Sequence, residues 1–295
     1  MSEPFPAHPA DDLARAFVVG CKKSGTTWMQ ALLEVHPQVC SRGEAGFAPL
    51  LATPMFEQLN AYNKQQRAGE INTYSGADAL TLARFAINTL QRKWIDMLPE
   101  SERAQVRVIA DKSPEHALSL DVLNAIYPKM KAIHIIRDGR DCLVSGWHYN
   151  IRGNAKAFRS QFVSMESYAS YFAQQQWVPS VTRARQWGAG HPDQYLELRY
   201  EALLASPDEQ ARRIFDFLGV DATGPVIERV IERTSFRSLS GGRDQGETNN
   251  QSHFRKGVSG SWREELDPAS VRVFEQIAGD TLDALGYPRA SAVGV

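Results

Sequence analysis

A glycine-bounded turn near the start of the chain restricts its fold more than any other feature. The apolar run Ala16-Phe17-Val18-Val19 stops at Gly20, the string Cys21-Lys22-Lys23-Ser24-Gly25-Thr26-Thr27 follows, and Trp28, Leu32 and Val35 then recur at i, i+4 and i+7 until His36-Pro37. The run reads as a buried strand and the later spacing as an amphipathic helix, so the unit is strand, loop, helix. Gly20 and Gly25 fit the ends of a G-x-x-x-x-G phosphate loop, but Thr26 stands where a nucleotide triphosphatase carries its lysine, and the lysine has moved to Lys23. Backbone N–H groups of the turn and of the helix start still make an anion cradle, to which Ser24, Thr26 and Thr27 add hydroxyl donors. Taken alone, the pattern also fits a capped turn without a ligand.

Further buried-strand candidates lie at 106–110, 132–136 and 195–198, separated by segments long enough for crossover helices such as 118–127. This alternation predicts an α/β fold, a central parallel sheet with helices on both faces, in a three-layer architecture like that of the P-loop kinases. Pro207 and Pro268 precede apolar residues at helical spacing and predict helices starting there. The stretch 240–253 has no large apolar residue but contains Gly241, Gly242, Gly246, Asn249 and Asn250, so it reads as a long surface loop, which in a compact domain is usually functional or disordered. No repeat and no linker divides the chain. A polar leader over 1–15, one domain over 16–288 and a tail over 289–295 are expected.

Composition narrows the partners. The 295 residues are 43% hydrophobic and carry a formal net charge of -1, so a sizeable core is available but no overall field draws the chain to nucleic acid or an acidic membrane. Any anion site is local. Cys21, Cys40 and Cys142 show neither CxxC spacing nor an even count, which disfavours a disulfide framework and a structural zinc site and fits a reducing compartment. Pro4, Pro6, Pro9, Asp11 and Asp12 break up the leader, and no window approaches the roughly 18 apolar residues of a membrane span. A cytoplasmic protein without a metal site is the expectation.

Lys23-Ser24-Gly25-Thr26-Thr27-Trp28 resembles the KSGTTW signature of the sulfotransferases that use 3′-phosphoadenosine 5′-phosphosulfate (PAPS), placed as in that family after the first strand. Cys21-Lys22 departs from the Tyr-Pro that precedes the lysine in many cytosolic members. The resemblance implies that the loop holds the 5′-phosphosulfate, that Lys23 acts on the bridging oxygen and that Trp28 stacks near the adenine. Arg137 at the end of a strand, with Ser145 eight residues on, resembles the family's 3′-phosphate motif. Alone, that spacing also fits an arginine paired with Asp138 or Asp141. Arg255-Lys256-Gly257-Val258-Ser259-Gly260-Ser261-Trp262 resembles the RKGxxGxW segment, whose adjacent cations and close-approaching glycine suit a phosphate. Tyr200, in Arg199-Tyr200-Glu201-Ala202-Leu203, and Thr234-Ser235-Phe236 resemble segments that lie along the nucleotide, though core packing explains them as well. The resemblance covers 17–262.

Transfer to a hydroxyl or amine needs a base for the acceptor's proton. Glu44 ranks first, in a His36-Pro37 to Gly43-Glu44 stretch resembling the protein-tyrosine and glycan sulfotransferases, and a buried glutamate would suit the role. His116 ranks second, since small-molecule members use a histidine after the third strand, although the spacing differs. Asp111 ranks third, in Asp111-Lys112-Ser113-Pro114, which resembles a glycan-branch string whose lysine, here Lys112, faces the active site. The implied reaction is in-line sulfuryl transfer that releases adenosine 3′,5′-bisphosphate, with Lys23 as the leaving-group cation.

Trp147 to Trp177 holds eight aromatic residues in 31 positions and could line an acceptor pocket or pack as core. Features of both branches are mixed, so the acceptor stays open among small molecules, lipids and glycans. A P-loop kinase or a nucleotide-sensing module are the rival readings. A homodimer is allowed, but the segment after Trp262 lacks a clear match to the family's dimerisation motif.

Overall fold

The computed structural model describes residues 8–66 and 70–290; residues 1–7 of the expected leader and 291–295 of the expected tail lie outside them. Strand β1 (Ala14–Gly20) is buried along six of its seven residues because it is the middle strand of a five-stranded sheet. A continuous apolar run is what a strand covered on both faces requires. With β2 (Val39–Gly43), β3 (Val108–Lys112), β4 (Lys131–Ile136) and β5 (Tyr195–Arg199), the order is β2-β3-β1-β4-β5, every pair parallel. The expected parallel sheet with helices on both faces is observed.

Side-chain alternation along β1 divides the core. Ala16 and Val18 face Met29, Leu32 and Leu33 of helix α1 (Thr26–Val35) together with Leu203, Phe215 and Val230. Phe17 and Val19 face the other layer, with Phe47, Ile87, Leu123 and Trp187. The chain leaves β1 toward β2 on one side and passes after β3 to β4 on the other, so the direction of winding reverses at β1. Open parallel sheets form their ligand crevice at the carboxyl ends of the strands at such a point.

Several boundaries differ from the sequence reading. Strand β2 has no counterpart there, because Ser41 and Arg42 interrupt its apolar pattern. Strand β3 runs two residues past 106–110, since Asp111 and Lys112 are strand residues whose polarity hid them. The 118–127 helix is a 3-10 turn, Pro114–Leu118, followed by Leu120–Ile126. Helices Pro207–Leu218 and Pro268–Ala284 start at their prolines. The chain is structured before residue 16: Ala10 is buried in a 3-10 turn, and the Arg15 guanidinium donates to Gln91 and Asn88.

Most of the aromatic-rich segment is core. Phe158, Phe162, Tyr168, Phe172 and Trp177 pack with Trp262 and Phe274 in one cluster. All three cysteines are buried free thiols. Among the described residues no helix is long and apolar enough to cross a membrane, and no group of three or more His, Cys, Asp or Glu side chains is gathered to hold a metal.

Gly139, which opens helix Gly139–Gln161, lies under the Trp177 and Phe274 rings; an added Cβ would be 2.5 Å from Phe274 and 2.6 Å from Trp177. Gly139→Ala should therefore lower stability by about 1–3 kcal/mol despite alanine's better helix propensity, read as a shift in denaturant midpoint at unchanged slope.

Candidate functional site

The loop after β1 is shaped by close approach. Gly20 has φ +152 and lies so near β4 that a Cβ would be 2.5 Å from the Ile135 carbonyl oxygen. Gly25, at φ +104, precedes α1, and a Cβ there would be 2.6 Å from the Tyr200 ring. Between them Lys23 adopts a left-handed φ of +72. No side chain caps α1, so its first N–H groups are open to a ligand. The Ser24 hydroxyl is fully buried without a hydrogen-bond partner among the described residues, and Ser24 is not among the residues lining the adjoining cavity.

Five separate segments close around one cavity of about 330 Å³. The loop supplies Lys23, Gly25, Thr26, Thr27 and Trp28; the β4 end and the helix after it supply Arg137 and Ser145. Tyr200 follows β5, and Thr234 with Phe236 ends the helix Gly224–Thr234 region. Arg255, Lys256, Gly257 and Val258 form the last wall. Apolar lining comes from Tyr149, Tyr168, Phe172 and Leu204.

Electrostatics distinguish the cations. Among the described residues Lys23 makes no ion pair; its ammonium lies 4.1 Å from the centre of the Tyr149 ring, and burial, aided by Arg152, pulls it down to about 8. Arg137 is nearly buried, stacks 4.4 Å from the Tyr200 ring centre and donates to the Val258 carbonyl at 2.9 Å, while its Nε has no partner. Of the two pairings its spacing allows, Asp138 binds Arg140 instead, whereas Asp141 does pair with Arg137 at 3.7 Å, in the interior and not at the surface. Trp28 donates its indole N–H to the Thr234 carbonyl at 3.0 Å and meets Tyr200 edge-on. The Thr234 hydroxyl donates to its own helix, at Val230.

Asp141 ties two walls together, a role the sequence left unassigned. Its carboxylate accepts from the Gly260 N–H at 2.6 Å and the Trp262 N–H at 3.0 Å, and Arg137 is 3.7 Å away. Gly257, at φ +66, is pressed against Phe236, where a Cβ would be 2.3 Å from the ring. Arg255 is not free: it holds Glu265 by two bonds of 2.8 Å. Burial disfavours the Glu265 charge, but His148 and Arg255 outweigh it and hold this carboxyl at about 2. Lys256 lies 3.5 Å from Glu264. The loop 240–253 carries no helix or strand, and Arg243 folds it back through bonds to the Glu247 and Arg255 carbonyls, so that Gln245 and His253 line the cavity.

The base candidates separate clearly. Glu44 lines the cavity but is not buried; its side chain is 69% exposed and accepts from Lys112 Nζ at 2.5 Å. Lys112 is itself buried and meets the site through that pair. His116 has no accessible surface: Nε2 accepts from the Ala48 N–H, and burial pulls the ring down to about 4. It is a neutral interior histidine. Asp111 is equally buried and bonded to Ser113 and Ala45, burial pushing it up to about 6 against those bonds. Neither is among the residues lining the cavity. At the mouth Lys22 pairs with Glu115 at 2.7 Å, a pair with no sequence signal beyond two charges far apart in the chain.

The family model described as Sulfotransferase domain matches residues 13–286. Cytosolic sulfotransferase 3 of Arabidopsis thaliana is 26% identical over 60% of this chain and 60% of its own length; Cytosolic sulfotransferase 17 of the same plant is 27% identical over 96% of this chain and 77% of its own. The chain thus spans less than two thirds of the first relative and more of the second. Mouse sulfotransferase SULT7A1, complexed with PAP, is similar in fold, with a TM-score of 0.58 at 18% identity over 97% of this chain and 88% of that one.

Asp141→Asn puts an amide donor against one of two backbone donors in a buried place. It should cost about 2–3 kcal/mol of unfolding free energy, measured by chemical denaturation.

Proposed function

Because the chain belongs to the sulfotransferase family, we propose that it transfers the sulfuryl group of PAPS to a hydroxyl or amine, releasing adenosine 3′,5′-bisphosphate (PAP). One observation carries this reading: the phosphate loop, the Arg137 and Ser145 pair, Tyr200 with Thr234, and the Arg255-Lys256-Gly257 wall surround a single cavity. The fit to a doubly phosphorylated nucleotide draws on Arg137, a cavity-lining residue whose Nε has no partner among the described residues, and on the uncapped N–H groups at the start of α1. The loop N–H groups, Ser24, Thr26 and Thr27 hold the 5′ end. Arg137, Ser145, Arg255, Lys256 and Gly257 hold the 3′-phosphate, and Trp28 and Tyr200 flank the base.

Lys23 neutralises charge on the bridging oxygen as its bond to sulfur breaks, a term worth most in a site screened from water. Glu44 takes the acceptor's proton. It lines the cavity, as Asp111 and His116 do not. Tyr149, Tyr168, Phe172 and Leu204 suit an acceptor whose hydroxyl is borne on an apolar body. Buried free thiols are in keeping with a cytoplasmic location.

Calorimetric titration with PAP, beside ATP and magnesium, tests the reading: PAP should bind alone and more tightly, whereas preference for ATP with magnesium would replace the reading with a kinase. Lys23→Ala should lower turnover about 10²–10³-fold in a chain that still folds. Glu44→Gln should lower it about 10²–10⁴-fold with PAP affinity retained.

Lys23 also gives a signed pH effect. With its free-state value near 8, an anion that raises it must take up protons above pH 8 and almost none at pH 6.5. Comparing heats of PAP binding in buffers of different ionisation enthalpy should reveal that uptake, and Lys23→Ala should abolish it.

A further inference from the structure

Residues 44–48 cross the carboxyl end of β3 with Glu44 and Gly46 both at φ +59. For a glutamate this left-handed conformation costs about 1–2 kcal/mol and must be imposed by its surroundings. The surroundings are the Asp111–His116 string. Glu44 N–H donates to the Lys112 carbonyl at 2.7 Å, Ala45 N–H to Asp111 Oδ1 at 3.2 Å, Gly46 N–H to Ser113 Oγ at 3.0 Å and Ala48 N–H to His116 Nε2 at 3.3 Å.

The acceptors are themselves linked. Ser113 donates to Asp111 Oδ2 at 2.8 Å, and His116 Nδ1 lies 3.3 Å from the same oxygen. Since Nε2 accepts, the ring's proton is on Nδ1, near Asp111 but without a hydrogen bond to it among the described residues. All three side chains are essentially without accessible surface. Alternation along β3 places Asp111 and Ser113 on one side and Lys112 on the other, where it reaches the Glu44 carboxylate. One short string thus grips the backbone of the loop and the tip of its glutamate separately.

We propose that Asp111, Ser113 and His116 are positioning residues that fix the backbone of residues 44–48 and thereby aim Glu44 at the acceptor. The inference rests on Glu44 being the base. An exposed carboxylate has little packing to direct it, so its aim is set by the backbone beneath it. Loss of one buried acceptor leaves a loop N–H unpaired and frees the left-handed turn to relax.

The test uses the full chain as wild type, Ser113→Ala, His116→Ala, and the conservative His116→Gln, which keeps an acceptor toward the loop. Each is titrated with PAP, assayed for PAPS-driven sulfation of 4-nitrophenol, and followed by amide hydrogen exchange across 44–48. The alanine variants should keep PAP affinity and KM for PAPS, exchange at 45–48 about 10-fold faster or more, and lose about 10-fold in kcat. His116→Gln should restore most of both relative to His116→Ala. Unchanged exchange in Ser113→Ala and His116→Ala would overturn the proposal, as would a fall in kcat matched by loss of PAP affinity. The exchange arm needs no acceptor, and so decides the matter even if 4-nitrophenol is not turned over. Wild-type kcat in Glu44→Gln would instead sink the assignment of the base, independently of what holds the loop.

Discussion

The contact on which the site depends is the approach of the Gly20 backbone to the Ile135 carbonyl, at the carboxyl ends of two adjacent parallel strands. Any side chain at residue 20 would overlap that oxygen, so the turn could not cross from β1 into α1 at this height. The second glycine does the same against Tyr200, and so joins the loop to the end of β5. Two missing Cβ atoms thus bring three strand ends and a helix N-terminus to one place. The anion cradle follows from that placement, because the N–H groups of an uncapped helix start then point into the crevice at the reversal of the sheet.

Charge holds the opposite wall. Arg137 and Asp141, one helical turn apart, are both largely withdrawn from water, and such a pair is justified energetically only when every remaining lone pair and proton is used. Asp141 spends its oxygens on the Gly260 and Trp262 N–H groups, which bends the C-terminal segment over the cavity. Arg137 leaves Nε unpaired. The wall is therefore built by one ion and left incomplete by the other. Arg255, by contrast, is already satisfied by Glu265, which orients its guanidinium before any ligand arrives.

The wall around Glu44 is built differently. Glu44 is exposed and set on a left-handed turn, whereas the groups beneath it are buried, with Ser113 bonded to Asp111 and His116 beside them. Lys112 tempers the carboxylate from one side. The interior polar network is costly to bury, and that cost is tolerable because each of its acceptors is matched to a particular loop N–H. The scaffold thereby fixes the backbone beneath Glu44, while the carboxylate itself remains accessible.

The sequence by itself determined the layered class, because an apolar run followed by glycine, polar loop and amphipathic helix has few other solutions. It also determined the strand–turn–helix unit of residues 16–35, whose glycines and Lys23 are local in the chain. Strand β2 and the last two residues of β3 were not legible, since Ser41, Arg42, Asp111 and Lys112 are polar residues whose burial depends on partners far away. The three base candidates looked alike as residue types. Only the tertiary structure separated them, leaving Glu44 at the cavity and enclosing Asp111 and His116 beneath its loop. The physical reason is that conformational limits act between neighbours and can be read in order along the chain. Burial and hydrogen-bond partnership arise between segments tens of residues apart, and no local pattern encodes them.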